Sequence, residues 1–182
     1  MDPESFYIKH MGNCIVAWGK LYEKEKWRSI RFPVGRLHED GYVTHILMFS
    51  EKTVPVIDMP LYMYYNNPKG ITHTPSSRRL KDACDGQRER LEFFRKNGFS
   101  RAYDYEINST GFLATEISAI RKGIVHEDKV YYKDVVKRLR KAIRREHISF
   151  KKHIWVYECA YPNLMKVYWL IVALGRKLGL KG

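Results

Sequence analysis

From Leu80 to Phe150 the apolar residues recur at every third or fourth position, a spacing that a helix turns into one continuous buried face. Leu80, Ala83, Cys84, Gln87, Leu91 and Phe94 form the first stripe, with Ser76 and Ser77 as candidate N-caps and Asn97-Gly98 as the stop. Ile107, Leu113, Ile117 and Ile120 predict a second helix from about Tyr103 to Lys122, and Tyr132, Val135, Leu139, Ile143 and Phe150 a third over about 129–150. Pro162-Asn163 then opens an amphipathic segment, Leu164 to Leu180. Residues 75–182 are therefore expected to form a mainly α-helical extension.

Ahead of Pro75 the pattern is shorter. Asn13 to Tyr22 is β-branched and aromatic and reads as a buried strand followed by a turn. Glu23 to Ser29 suits a short helix, and Pro33 and Gly35 mark a loop that leads to His38-Glu39-Asp40. Val43, Ile46, Leu47 and Phe49 then fall at helical spacing, which puts Glu39 and Asp40 at or just before a helix N-terminus. Val54–Ile57 and Leu61–Tyr65 read as two strands, and 66–74 as a turn-rich loop.

Composition narrows the class. Aromatic residues make up 14% of the 182, which excludes a disordered chain, and three well-separated cysteines, Cys14, Cys84 and Cys159, exclude a disulfide scaffold and fit a reducing cytoplasm. The longest apolar run, Val167 to Leu174, is far shorter than the roughly 20 residues that span a bilayer as a helix. Met1 to Ser5 has neither the charged start nor the apolar core of a signal peptide. The formal charge of +13 is unevenly spread: residues 1–120 hold 17 Lys or Arg against 15 Asp or Glu, whereas residues 121–182 hold 16 against 5. A nearly neutral first part is thus followed by a cationic part suited to an anionic partner.

The residues dense in chemistry are Trp18-Gly19-Lys20-Leu21-Tyr22, Arg31-Phe32-Pro33-Val34-Gly35-Arg36, His38-Glu39-Asp40 and Pro60-Leu61-Tyr62-Met63-Tyr64-Tyr65. In this order and spacing they resemble the second half of the catalytic domain of family 2 glycosyltransferases, over about Asn13 to Thr72. The resemblance implies an α/β fold: a partial, Rossmann-like GT-A half-domain over 1–74, the acceptor side, ahead of the basic helical extension of 75–182. It implies inverting transfer of a sugar from a nucleotide-sugar to a polysaccharide or lipid-linked acceptor. Asp40 would be the general base and Glu39 would orient the site, with Trp18, Lys20, Tyr22, Arg36, His38, Tyr62 and Tyr64 binding substrate.

Each of these residues also has a plainer reading. Glu39 and Asp40 could merely cap the following helix, where an anionic side chain gains roughly 0.3–1 kcal/mol from the macrodipole. Trp18, Lys20 and Tyr22 at alternate positions could pack against a sheet, although a Lys in an apolar strand needs a partner such as a phosphate or a carboxylate. For Tyr62 and Tyr64, sugar stacking and core packing are equally open, and His38 could bind a sugar or simply precede the cap.

The sequence also departs from the family pattern. An Asp-x-Asp motif, which in the family holds the donor diphosphate through a divalent metal, is not found ahead of Asp40, and the nearest imitation, Asp104-Tyr105-Glu106, follows it. Mn or Mg is therefore expected only with a donor-binding half, and no metal ligands are assigned here. Asn66 stands where the family has Arg, and Gly70-Ile71-Thr72 replaces its Ser-Ile-Thr turn. Gln87 to Leu91 lacks the Trp of the Gln-x-x-Arg-Trp of processive members and is read as structural. A second His-Glu-Asp, His126 to Asp128, is read as an N-cap.

Lys133, Lys137, Arg138, Arg140, Lys141, Arg144 and Arg145 crowd the outer face of the third predicted helix. An anionic membrane surface rewards such a face with about 1 kcal/mol per base, and an amphipathic, Trp-containing tail can lie in the interface. The expected location is cytoplasmic and peripheral at the inner membrane face, through residues 121–182. A non-catalytic module that binds such a surface or nucleic acid is the alternative, but no nucleic-acid motif is present. An edge-to-edge dimer is expected if half a sheet is left unpaired.

Overall fold

The computed structural model describes residues 1–65, 67, 70 and 76–177, without the side chains of residues 12, 13 and 175–177. The chain divides into two compact units, Met1–Ile107 and Asn108–Gly182. The change of character placed at residue 75 lies outside the described residues, and the helices that follow it belong to the first unit as far as Ile107.

The first unit holds α1 (Pro3–Cys14), α2 (Thr44–Phe49), α3 (Ser77–Asn97) and α4 (Ser100–Ile107), with short 3-10 turns at Lys24–Trp27 and Glu39–Tyr42. Local caps set the ends of α1 and α3. The Asp2 side chain accepts from the Ser5 amide and Pro3 opens α1, while Ser76 Oγ accepts from the Arg79 amide and Gly98, at φ 75°, closes α3. The core is aromatic, with Tyr7, Phe49 and Phe94 buried together and Tyr7 edge-on to Phe94 at 5.0 Å.

Under this layer lies a buried polar knot. Arg90 Nε donates to Tyr7 Oη at 2.9 Å and to Glu106 Oε2 at 2.9 Å, its Nη2 pairs with Glu106 Oε1, and Tyr7 donates to Glu106 Oε2 at 2.6 Å. Burial works against the Arg90 charge, and Glu106 and Tyr7 more than offset it, so its pKa stays above the ordinary value. His45 is also buried, and burial together with Arg90 pushes its pKa down to about 3. The unfolded chain takes up this proton near pH 6.5, whereas the folded one does so only near 3, so stability falls as pH drops between these values. His45→Asn is expected to flatten that acid limb, as read from urea midpoints at stepped pH.

The second unit holds α5 (Thr110–Arg121), α6 (Lys129–Arg145), α7 (Ile154–Ala160) and α8 (Pro162–Lys177). Leu113, Ile117, Val135, Leu139 and Ala160 are fully buried in it. Asp128 caps α6 by accepting from the Tyr131 amide at 2.7 Å, the role read for the second His-Glu-Asp.

The expected α/β half-domain is not what forms: the described residues are helices, turns and irregular segments, with no strand and no sheet. Residues 13 and 14 end α1, and 15–22 form a loop instead of a strand, with Gly19 at φ 68°. Val54–Ile57 and Leu61–Tyr65 carry no strand assignment, and residues 61–65 are all exposed. Val54 exchanges backbone hydrogen bonds with Met1, at 2.8 and 3.2 Å, and the Leu61 amide donates to the nearby Met59 carbonyl at 2.9 Å, neither of which is a ladder between strands. β-branched and aromatic residues favour a strand only when a partner completes the ladder, and no partner lies alongside among the described residues. With no sheet there is no described sheet edge on which to build the dimer. The single helix predicted over 103–122 is two, broken where the Ser109 side chain accepts from the Phe112 amide and caps α5.

Candidate functional site

The loop from Arg31 to Leu37 is clamped onto the first turns of α3. Arg36 Nη1 donates to Asp82 Oδ1 at 2.8 Å and to Asp85 Oδ2 at 3.0 Å, the Leu37 amide donates to Asp82 Oδ2 at 2.9 Å, and Arg78 donates to the Gly35 carbonyl. The Tyr42 hydroxyl donates to the Asp82 carbonyl at 2.6 Å. A Cβ on Gly86 would stand 3.0 Å from the Tyr42 ring, so the glycine permits this close approach. Arg36 therefore spends its charge on α3 acids.

The clamp delivers His38 in the left-handed region, φ 59°, which His adopts more readily than most residues. Its Nε2 accepts from Arg79 Nε at 3.2 Å, and burial followed by the Arg79 charge holds its pKa below the ordinary value. The reversed backbone at His38 starts the 3-10 turn that carries Glu39 and Asp40 ahead of α2. Glu39 points to solvent and Asp40 is half-buried. Behind the turn, Arg90 Nη1 donates to the Gly41 carbonyl at 2.9 Å, which ties the position of Asp40 to the buried knot.

The 15–22 loop folds against Asp40. The Ala17 amide donates to Asp40 Oδ2 at 3.3 Å and the Gly41 amide to Oδ1 at 2.9 Å. A carboxylate has about four acceptor positions, so these two donors leave room for a substrate hydroxyl. Lys20 and Tyr22 both lie within reach of the Asp40 charge. Burial lowers the Lys20 pKa against the pull of Cys14 and Asp40, and the ammonium donates to the Val16 carbonyl. Burial and then Asp40 push the Tyr22 hydroxyl up to about 12, and this hydroxyl donates to the Ala17 carbonyl at 3.3 Å.

One residue along from Ala17, the Trp18 indole stacks with Tyr62 at 5.2 Å and 13° and with Tyr64 at 5.0 Å and 29°. All three rings are exposed, at 40, 52 and 56%. Trp18 and the two tyrosines, more than 40 positions from it in sequence, thus form one open surface beside the loop that holds Asp40.

The sequence reading missed Asp82, Arg79 and Arg90, which fix the Asp40 turn without forming part of it. Asp82, Gly86 and Arg90 stand four apart on α3, a polar and small stripe beside the apolar one, and that spacing was their only signal. Among the described residues no group of three or more His, Cys, Asp or Glu side chains could hold a metal ion, and Glu106 of Asp104-Tyr105-Glu106 is consumed by Arg90. These residues do not fit the divalent ion of the family pattern.

The chain is similar to glycosyltransferase GlyA of Streptococcus pneumoniae serotype 4 (strain ATCC BAA-334 / TIGR4), 29% identical over 86 residues. The match covers 47% of this chain and only 12% of that protein. No protein-family profile matches the chain, and no solved structure does. That protein is named a glycosyltransferase, and its name carries no family 2 or GT-A designation.

Proposed function

We propose that the Asp40 turn, the 15–22 loop and the Trp18–Tyr62–Tyr64 stack form the acceptor side of an inverting glycosyltransferase of family 2 chemistry. The observation that carries this reading is the seating of a half-buried carboxylate under the loop whose next residue anchors an open aromatic surface. An acceptor saccharide lays the apolar face of a sugar ring on the aromatic side chains and turns a hydroxyl toward Asp40. As that oxygen bonds to the anomeric carbon of a nucleotide-sugar, its proton passes to the Asp40 carboxylate and the bond to the nucleoside diphosphate breaks. Lys20 and Tyr22 flank the carboxylate, and Glu39 stands at the solvent side of the same turn. Arg36 and His38 hold the turn in place through α3. Donor binding is assigned to no residue described here.

The test is to incubate the chain together with a donor-binding half, nucleotide-sugars and saccharide acceptors and to determine the anomeric configuration of the product by NMR. Inverted product is expected; retained configuration, or no transfer to any saccharide, would overturn the proposal. Trp18→Ala is expected to raise the acceptor KM about fivefold with kcat little changed, because stacking contributes on the order of 1 kcal/mol to the bound ground state and the transition state alike.

A further inference from the structure

The second unit carries two features that the acceptor site does not use. The first is a basic stripe on α6: Lys133, Lys137, Arg140 and Arg144 follow one another at three- and four-residue steps, Lys141 lies beside Arg140, and all are exposed. Lys133, Lys137 and Arg140 line an open groove of about 420 Å³ together with Tyr132, Val136 and Pro162, the first residue of α8. Arg140 is held there by donating to the Ala160 carbonyl at 2.9 Å and by lying 4.8 Å above the Tyr161 ring.

The second is the outer face of α8. Leu164, Val167, Leu170, Ile171 and Leu174 are between 51 and 65% exposed and fall on one side of the helix, while Met165 on the opposite side is buried. Five aliphatic side chains on one uncovered stripe exceed the scatter of single apolar residues that any surface carries. Trp169, four residues after Met165 and on the same side of the helix, donates its indole N–H to Glu158 at 2.8 Å. Residues 162–177 contain no Asp or Glu, so the helix adds only positive charge to that of α6.

We infer that the α8 stripe and the α6 bases together form a docking surface for an anionic lipid bilayer, on which α8 lies in the interfacial plane. Charge complementarity selects this occupant. A second copy meeting the same face would bring the same bases against them, and a nucleic acid would match the bases but leave the aliphatic stripe in water. No described helix is long and apolar enough to cross a membrane, so the helix rests on the surface rather than spanning it. The inference is independent of the Asp40 reading, since it uses no residue of the first unit.

The experiment is vesicle co-sedimentation of the whole chain, with phosphatidylglycerol–phosphatidylcholine vesicles against pure phosphatidylcholine vesicles. Partitioning to the anionic vesicles is expected, weakened by salt. Lys133→Gln/Lys137→Gln should lower it about thirtyfold, because each base near such a surface contributes about fivefold. Val167→Asp/Ile171→Asp should abolish it while circular dichroism keeps its helical signal. Equal binding to both vesicle types, or full binding by the aspartate variant, would overturn the inference. So would a chain that ignores vesicles but dimerises through α8, or one that prefers duplex DNA at the same salt.

Discussion

Arg90→Met is expected to lower the stability of the first unit by about 3–5 kcal/mol, because it strands the fully buried Glu106 carboxylate without its cation. The Tyr7 hydroxyl and the Gly41 carbonyl lose a donor in the same step. Arg90→Met with Glu106→Leu removes both charges and should recover most of the loss, since a buried ion pair and apolar side chains of similar volume are often equivalent in stability. The double-mutant cycle is read from urea midpoints at constant m-value. Additive effects of the two single changes would show that the pair is not coupled as its geometry requires. Arg90 also holds the Gly41 carbonyl, so variants that stay folded should still lose order at the Asp40 turn.

Both ends of α3 and the start of α6 were legible because capping is local: Ser76 with Arg79, Gly98 after Asn97, and Asp128 with Tyr131 all lie within one turn of chain, whereas α6 stops at Arg145, short of the 129–150 read for it. The helix read at 23–29 is a short 3-10 turn at Lys24–Trp27, which no side chain caps at its start. The strands failed because their evidence was local and their requirement is not. Residues 61–65 have strand-like composition, but only a neighbouring strand can satisfy their backbone, and none pairs with them here. The break at Ser109 was masked by an apolar stripe that runs across it, Ile107 to Leu113 to Ile117, although Ser109 is an ordinary N-cap residue.

In the site, the sequence motif named Asp40, Trp18, Tyr62 and Tyr64, and the structure places the three aromatic residues in one stack beside the Asp40 loop. It could not show that Arg36 is held by Asp82, 46 residues away, or that Arg90 reaches Tyr7 across 83 residues. Those pairs depend on how α3 crosses the chain ahead of it. A polar stripe on a helix does not reveal its partners.

Asp40→Asn carries the central claim. The substitution keeps the size of the side chain and an oxygen for the Ala17 or Gly41 amide, but it removes the carboxylate proposed as the base. A general base in such a position contributes a hundred- to ten-thousand-fold in rate, so kcat for glycosyl transfer should fall by roughly that factor. The acceptor KM should move little, because the aromatic surface proposed to hold the sugar is intact. Glu39→Gln, on the exposed side of the turn, should cost much less. The measurement that tests the account most directly is therefore the transfer rate of wild type and Asp40→Asn side by side, with matched circular dichroism spectra. Loss of turnover with retained fold and retained acceptor affinity is the predicted result. Wild-type turnover in a folded Asp40→Asn protein would contradict it.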